Sequence, residues 1–371
     1  EKEYCLTLYH FITKELYLSK TGRMDGENKM GMAALWLNTL EEKREAGEIL
    51  YDLKMIENHA SEPRKAYVVL SIPCYQEDFL PNFRDGDVVL FYERNQATDN
   101  ATNKMVYKGN IERITDTQVC IRLRAAQRNT ALFPPDSLYA VEHDSMDTSF
   151  RAMFYGLSAF MDANKERRNL LLGRREPCFE EVKTTHFIDD FDRVTQKAVA
   201  ARDYFLLVGP PGTGKTSGAL NRMVRTFHQE VHTNILLLAY TNRAVDEICK
   251  SLSTITPELD YMRVGSELTC DARFREHLLE NALAACRNRK EVMQRMDACR
   301  IYVGTVASIA SKTELFKLKR FDVAIIDEAT QILEPQLLGI LCGKTPDGLD
   351  AVGKFILIGD HKQLPAIVLQ D

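Results

Sequence analysis

The stretch GPPGTGKT constrains the fold of this chain more than any other feature of its 371 residues. It follows the apolar run YFLLV and precedes the helix-forming residues SGAL. A glycine-rich loop between a strand and a helix turns backbone N–H groups toward phosphate oxygens, and the helix dipole adds to their attraction. The loop residues are Gly209, Pro210, Pro211, Gly212, Thr213, Gly214, Lys215 and Thr216. They predict a nucleoside-triphosphate site, and the strand and helix around them favour an α/β fold.

Two side chains at the end of this loop have the chemistry that a triphosphate requires. The Lys215 ammonium can reach the β- and γ-phosphates, and the Thr216 hydroxyl can ligate Mg²⁺. A plain tight turn would not need this order of residues between a strand and a helix. We therefore expect a nucleoside triphosphate and Mg²⁺ as cofactors.

The apolar run DVAIID supplies the carboxylates that such a site lacks. It ends in Asp327 and Glu328, which we place at the carboxyl end of a neighbouring parallel strand. Asp327 would hold Mg²⁺ through its water shell, and Glu328 would orient and deprotonate an attacking water. By itself this pattern often marks a strand that ends at the surface. Together with the glycine-rich loop it predicts hydrolysis of the triphosphate.

A third strand, FILIG, delivers Gln363 in the turn DHKQLP. An amide side chain is neutral and carries both a donor and an acceptor, so Gln363 could contact the γ-phosphate or the attacking water. The alternative is an ordinary polar turn residue. Because its strand belongs to the same predicted sheet, we expect Gln363 at the phosphate edge.

The first half of the chain has a different texture. Residues 28–58 show helical spacing and no proline, which predicts a long helix. Five short runs rich in Val, Ile and Tyr follow, and these predict a small barrel or sandwich. An apolar stripe from Phe150 to Met161 predicts a second helix, packed against the first as a stalk. The predicted domains are 1–62 (helical segment and stalk), 63–145 (barrel), 146–185 (stalk helix and linker) and 186–371 (α/β domain, with a helical insertion at about 266–300).

Composition narrows the class of protein. The net charge of −5 excludes a global basic field but not a basic groove. The insertion is rich in arginine between 270 and 300; a solvated helical face is the default, and a nucleic-acid-facing surface is the alternative. The nine cysteines are scattered without a CxxC pair, which is typical of reduced thiols in an intracellular protein. No apolar run is long enough for a membrane span, so we expect a cytoplasmic protein, or a nuclear one in a eukaryote.

GPPGTGKT, IIDEATQ and GDHKQLP, in this order, resemble motifs I, II and III of the superfamily 1 helicases. The match is to the 1B branch, which includes up-frameshift-like and nuclease-helicase-like enzymes. The resemblance implies a RecA-like P-loop NTPase domain with a parallel sheet, preceded by a small β-barrel and a helical stalk. It also implies that ATP is the triphosphate and that single-stranded DNA or RNA is the partner.

Three further matches extend the resemblance. LLAYTNRAVDEICKSL resembles motif Ia, which implies that Thr241 and Asn242 contact the nucleic-acid backbone. VGTVASI resembles motif Ic, which gives Thr305 a similar role. FDRVTQKAV resembles the Q motif, which implies that Gln196 reads the adenine edge.

The resemblance therefore predicts an ATP-dependent helicase or translocase that moves 5′ to 3′. Motifs IV to VI are absent from the chain, so we expect a second RecA-like domain with arginine fingers beyond it, and weak or no hydrolysis by this chain alone. An upstream nuclease domain is a further partner that the branch implies, with Cys5 either its last iron–sulfur ligand or a plain thiol. Two rival functions stay open: an ATP-gated clamp or switch that grips nucleic acid without unwinding, and an assembly-remodelling ATPase. The motif DHKQLP and the Thr241–Asn242 pair disfavour the second rival.

Overall fold

The structure, a computed structural model, describes residues 1–21, 32–63, 65–75, 80–129, 131–144, 148–182 and 186–370. These residues form two compact units, and the boundary between them lies inside helix α1 (Lys2–Thr21). The first unit contains Glu1–Ile12 and the described residues from 148 to 368. The second contains the described residues from 13 to 144, together with 369 and 370.

The second unit is a closed six-stranded antiparallel barrel in the order β1-β2-β5-β4-β3-β6. Apolar residues alternate along its strands, so that Val119, Ile121 and Leu123 of one strand all lie in the core. The five short strands predicted between 66 and 144 are confirmed, and the barrel has one more. The strands are β1 (Ile49–His59), β2 (Tyr67–Ser71), β3 (Val88–Glu93), β4 (Tyr107–Ile114), β5 (Gln118–Leu123) and β6 (Leu138–His143).

The sixth strand shows that the long helix predicted over residues 28–58 is wrong. Residues 28–31 lie outside the described part; two short helices follow, α2 (Met32–Leu37) and α3 (Leu40–Glu45), and then β1 begins. A bulge in β1, with Asp52 at φ 54°, shifts its register between Leu50 and Leu53. The buried positions of this strand therefore fall at Ile49, Leu50 and Leu53, a spacing that imitates one face of a helix.

The first unit is built on a six-stranded sheet in the order β7-β12-β11-β8-β10-β9, with every pairing parallel. Its central strands are buried on both faces, as a parallel sheet covered by helices requires. This confirms the predicted α/β fold. The strands are β7 (Tyr204–Val208), β8 (Ile235–Ala239), β9 (Tyr261–Val264), β10 (Ile301–Thr305), β11 (Phe321–Ile326) and β12 (Val352–Gly359).

Helices cover both faces of this sheet. They are α4 (Thr148–Asp162), α5 (Lys165–Leu171), α6 (Asp190–Ala200), α7 (Asn221–Gln229), α8 (Asn242–Leu252), α9 (Leu279–Ala282), α10 (Arg289–Ala298), α11 (Val306–Ala310), α12 (Leu315–Leu318) and α13 (Glu334–Leu341). A wide helical turn, Lys215–Leu220, runs directly into α7. Within the described ranges, no helix combines the length and the apolarity that crossing a membrane requires.

The apolar stripe of α4 has a different partner from the one predicted. Its residues Met153, Leu157 and Phe160 are buried, but they belong to the core of the first unit. The helix packs on α13, where a Cβ atom added at Gly156 would lie 2.8 Å from the backbone nitrogen of Gly339. The first residues of α1 complete the packing. Residues 32–59 form α2, α3 and β1 in the other unit and are not that partner.

The predicted helical insertion at about 266–300 consists of several short pieces. Ser266, Asp271 and Asn288 each accept a backbone N–H bond two or three residues ahead, so each of them starts a new turn or helix. The longest piece is α10. Some of the arginines of this segment are paired with carboxylates, as Arg295 is with Asp260. Arg287, Arg289 and the neighbouring Lys290 are exposed at its surface.

Candidate nucleotide-binding site

The parallel sheet gathers the predicted site residues at one edge. Its strands all point the same way, so the loops that follow them meet at the carboxyl edge. Pairing registers align the strand ends: Gly359 lies beside Val208, and Ile326 lies beside Leu357. The glycine-rich loop follows β7, Asp327 follows β11, and Gln363 lies shortly after β12.

The loop after β7 has the backbone that its glycines allow. Gly212 and Gly214 adopt φ values of 75° and 78°, in the left-handed region that disfavours a side chain. A Cβ atom at Gly214 would also lie 2.8 Å from the ring of Phe191 on α6. Pro210, Pro211, Gly212 and Thr213 are exposed, so the loop is open to a ligand.

Lys215 lies along the inside of this loop. Its Nζ atom donates hydrogen bonds to the carbonyl oxygens of Gly209 at 2.5 Å and Pro210 at 2.8 Å. The Thr213 hydroxyl donates to the Pro210 carbonyl as well, at 2.8 Å. A flexible ammonium held only by carbonyls of its own loop can exchange them for phosphate oxygens at low cost.

Thr216 and Asp327 are in direct contact across the strand ends. The Thr216 hydroxyl donates to Oδ2 of Asp327 at 2.5 Å, and the Asp327 carboxylate is almost fully buried, at 4% exposure. One hydroxyl and one carboxylate are oxygen ligands of the kind that Mg²⁺ prefers. These residues therefore fit the ion that the sequence predicts.

Glu328, the next residue, is held in an unusual backbone conformation. Its φ of 54° and ψ of 31° lie in the left-handed region, and its Oε2 atom has no hydrogen-bond partner among the described residues. Burial raises the pKa of Glu328, and the neighbouring Asp327 carboxylate raises it further. A strained backbone with an unpaired buried oxygen is typical of a functional site.

Gln363 is tied to Asp360, a residue that the motif analysis missed. The Gln363 amide donates from Nε2 to Oδ2 of Asp360 at 3.2 Å. The Lys362 N–H bond, together with the Gln363 bond and the nearby Lys215, holds the pKa of Asp360 below its ordinary value. The Thr330 hydroxyl bonds the Asp360 backbone at 3.3 Å, which joins the loop after β11 to the loop after β12. Asp360 directly follows β12, as Asp327 directly follows β11. This position directly after a strand could have predicted Asp360 as a site residue.

These groups line one cleft of about 310 Å³. Of the predicted residues it brings together Pro211, Lys215, Thr216, Thr241, Asp327, Glu328 and Gln363. It adds residues that sequence reasoning missed, namely Arg243, Ala244, Glu247, Thr330, Gln331, Gly359 and Asp360. A second hollow of about 450 Å³ lies between the start of the loop helix and α8.

Helix α8 connects the residues that are predicted to contact nucleic acid to this cleft. The Thr241 side chain caps the helix by accepting the Ala244 N–H at 3.1 Å, and Asn242 is the first helical residue. At the other end, the Ser251 hydroxyl donates to the Thr216 carbonyl at 3.3 Å. The helix is therefore bonded directly to the residue that would ligate Mg²⁺.

Thr305 and Gln196 are among the predicted residues that do not line the cleft. Thr305 is buried at 6% exposure, and its hydroxyl caps α11 by accepting the Ser308 N–H at 3.0 Å. Gln196 lies on α6, partly buried, and is not part of the lining of either hollow. Cys5 lies on α1 with its side chain packed against the first unit's core. Within the described residues, no cluster of His, Cys, Asp and Glu is arranged as a metal site of three or more ligands.

The parallel sheet, the glycine-rich loop and the Thr216–Asp327 pair define a P-loop nucleoside triphosphatase domain. A family model described as an AAA domain matches residues 189–300 and 286–371. The chicken DNA replication ATP-dependent helicase/nuclease DNA2 is 27% identical over 95% of this chain and 35% of its own length. The Schizosaccharomyces pombe protein of the same description is 33% identical over 48% of this chain and 12% of its own length.

These matches support the resemblance to the superfamily 1 helicases that the motifs predicted. It spans about a third of the length of the chicken, bovine and human relatives that it matches. Among solved structures, the UvsW helicase of bacteriophage T4 aligns with 56% of this chain and 64% of its own at a TM-score of 0.34.

Proposed function

We propose that this chain is the first motor domain of an ATP-dependent helicase or translocase. The observation that carries the proposal is the Thr216–Asp327 contact beside the unpaired Glu328 oxygen, in the cleft that Thr241 also lines. The names of the relatives support it, because they describe ATP-dependent helicase/nucleases. The motor domain would comprise residues 186–371 with its insertion at about 266–300, preceded by the barrel and by α4.

Each group in the cleft has a role that its position supports. The backbone of residues 209–214 would hold the α- and β-phosphates, and Gln196 would read the adenine edge. Lys215 would leave the Gly209 and Pro210 carbonyls for the β- and γ-phosphates. Thr216 and Asp327 would hold Mg²⁺, which would supply charge neutralisation for the phosphates. Glu328 would accept a proton from the attacking water, and Gln363 would contact the γ-phosphate or that water.

The nucleic-acid partner follows from the same resemblance. Thr241, Asn242 and Thr305 would contact the backbone of a single strand, with movement 5′ to 3′. The relatives' names mention DNA replication, so DNA is the substrate that we propose. A second RecA-like domain with its arginine fingers and an upstream nuclease domain would be parts of the longer protein, which would act inside the cell.

Nucleotide binding by this chain tests the site. We expect a fluorescent ATP analogue to bind with Mg²⁺, and Lys215→Ala to weaken that binding by about 100-fold, because two charge-assisted phosphate contacts are lost. Lys317→Ala, which removes an exposed lysine of α12, is the matched control. Unchanged binding by Lys215→Ala would refute the site assignment.

Strand-dependent activity of the longer protein, with its second domain, tests the function. We expect ATPase activity stimulated by single-stranded DNA and unwinding of duplexes with a 5′ tail. Stimulated ATPase without unwinding of either a 5′-tailed or a 3′-tailed duplex would favour the ATP-gated clamp. ATPase activity indifferent to nucleic acid would contradict both readings.

A further inference from the structure

Arg243 lies in the first turn of α8 and lines the cleft with Lys215, Asp327, Glu328 and Gln363. Its side chain is exposed, and it forms no hydrogen bond or ion pair with any other residue that the structure describes. Glu247, one helical turn further on, lies 3.7 Å from Lys250, so this carboxylate already has a cation beside it. Arg243 is therefore a positive charge directed at the cleft edge with no anion of its own.

The other charges of the cleft indicate what the Arg243 guanidinium could bind. Its lining contains four carboxylates, those of Glu247, Asp327, Glu328 and Asp360, but only two cations. Lys215 is the first cation and Arg243 is the second. A triphosphate entering this mostly acidic cleft needs both, and the planar guanidinium offers paired N–H donors that match two phosphate oxygens.

The position of Arg243 indicates which of the three phosphates it would contact. The exposed loop, residues 210–213, forms the side of the site where the α- and β-phosphates would lie. The proposed function places the terminal phosphate and the attacking water beside Glu328 and Gln363, and both of these residues line the cleft. Arg243 shares the lining with these two residues, so its reach covers the terminal phosphate.

We propose that Arg243 binds the γ-phosphate and thereby reports the nucleotide state to the strand-contact turn of α8. This inference rests on the proposed function and assigns a specificity-determining residue to it. Thr241 and Asn242 immediately precede Arg243, so a contact at the phosphate acts on the turn that would meet nucleic acid. The Ser251 hydroxyl bonds the far end of the helix to the Thr216 carbonyl, so both ends of α8 lie at the nucleotide site.

The distinguishing test compares triphosphate and diphosphate binding by Arg243→Ala. In the presence of Mg²⁺, we expect the Kd of the non-hydrolysable analogue AMP-PNP to rise about tenfold. The Kd of ADP should change less than about twofold, because ADP lacks the phosphate that Arg243 contacts. Arg243→Lys should recover part of the AMP-PNP affinity, since it keeps the charge but not the fork. Arg225→Ala, an exposed arginine of α7 outside both hollows, is the matched control and should leave both constants unchanged.

The outcomes separate this inference from the proposed function. If the unaltered chain binds neither nucleotide, the proposed function itself fails. If it binds both and Arg243→Ala changes the two affinities equally or not at all, only the γ-phosphate role is overturned. Loss of affinity for a fluorescent single-stranded oligonucleotide, with AMP-PNP and ADP binding unchanged, would assign Arg243 to the nucleic-acid path instead and would also overturn it.

Discussion

Two glutamates with buried oxygens, Glu142 in the barrel unit and Glu328 at the edge of the parallel sheet, differ in how they are bonded. In the barrel unit, Lys43 donates to Oε2 of Glu142 and to the Leu35 carbonyl, both at 2.8 Å, and Tyr92 donates to Oε1 of Glu142 at 2.5 Å. Every polar atom of that carboxylate is therefore bonded. At the carboxyl edge of the parallel sheet, Glu328 keeps a buried oxygen with no described partner on a left-handed backbone.

Topology accounts for this difference. A closed antiparallel barrel sends alternate strand ends to opposite rims, so polar residues are dispersed and are paired locally, as Asp144 is with Lys108 and Arg124. A parallel sheet sends every strand end to one edge, so polar residues converge there. Altered barrel charges should therefore mainly affect stability, whereas altered charges at the sheet edge should mainly affect activity.

Glu328→Gln gives the largest effect and the strongest test of the comparison. We expect ATP hydrolysis by the longer protein to fall by about 100-fold or more, because the amide cannot accept a proton from water. The free energy of unfolding of this chain should stay the same or rise, since a buried carboxylate beside Asp327 loses its charge. Steady-state ATPase assays and denaturant unfolding measure the two quantities. A variant that is destabilised and still active would contradict the expectation that charges at the sheet edge mainly affect activity.

Lys43→Ala tests the expectation that buried charges of the barrel unit mainly affect stability. It leaves the Glu142 carboxylate buried without its cation, so we expect the barrel to lose about 3–5 kcal/mol of stability. Hydrogen exchange should increase in the strand that carries Glu142, whereas nucleotide binding should not change. Replacing both partners, as Lys43→Met with Glu142→Gln, should be milder because no unpaired charge remains. A loss of nucleotide affinity with unchanged barrel protection would contradict this assignment.

A pair of glycines provides the smallest and most controlled comparison. Gly214 and Gly348 have φ values of 78° and 79°, but a Cβ atom would meet Phe191 only at Gly214 and nothing within 4 Å at Gly348. We expect Gly348→Ala to destabilise the chain by about 1 kcal/mol through backbone strain alone. Gly214→Ala should be more destabilising and should also weaken nucleotide binding. Equal effects on unfolding would show that the Phe191 contact is unimportant.

The site residues that could be predicted are those in short motifs placed directly after strands. Lys215, Asp327 and Gln363 belong to this group, because a parallel sheet brings strand ends together whatever the intervening sequence is. Arg243 could not be predicted, because in the sequence it is one more charged residue on an amphipathic helix. Only the packing of α8 beside the loop helix, with Ser251 bonded to Thr216, places it in the cleft.

The parts of the fold that were missed have equally local causes. In β1 the bulge at Asp52 replaced the alternation of a strand with the spacing of a helix. In β9 a fully buried arginine, Arg263, interrupts the apolar pattern; it is 1% exposed and pairs with Asp246. A charge inside a strand of four residues conceals that strand from any reading of hydrophobic periodicity.

The contact between α4 and α13 has a consequence for how this unit can vary. A side chain at Gly339 would meet only ordinary contacts of 3.5 Å and beyond, whereas one at Gly156 would meet backbone at 2.8 Å. The two positions are therefore unequal. Gly339 can accept a small side chain, whereas Gly156 cannot unless α13 itself is displaced. Since α13 begins a few residues after Gln331 in the cleft lining, we expect that one added methyl group at Gly156 would shift α13 and, through it, the cleft lining.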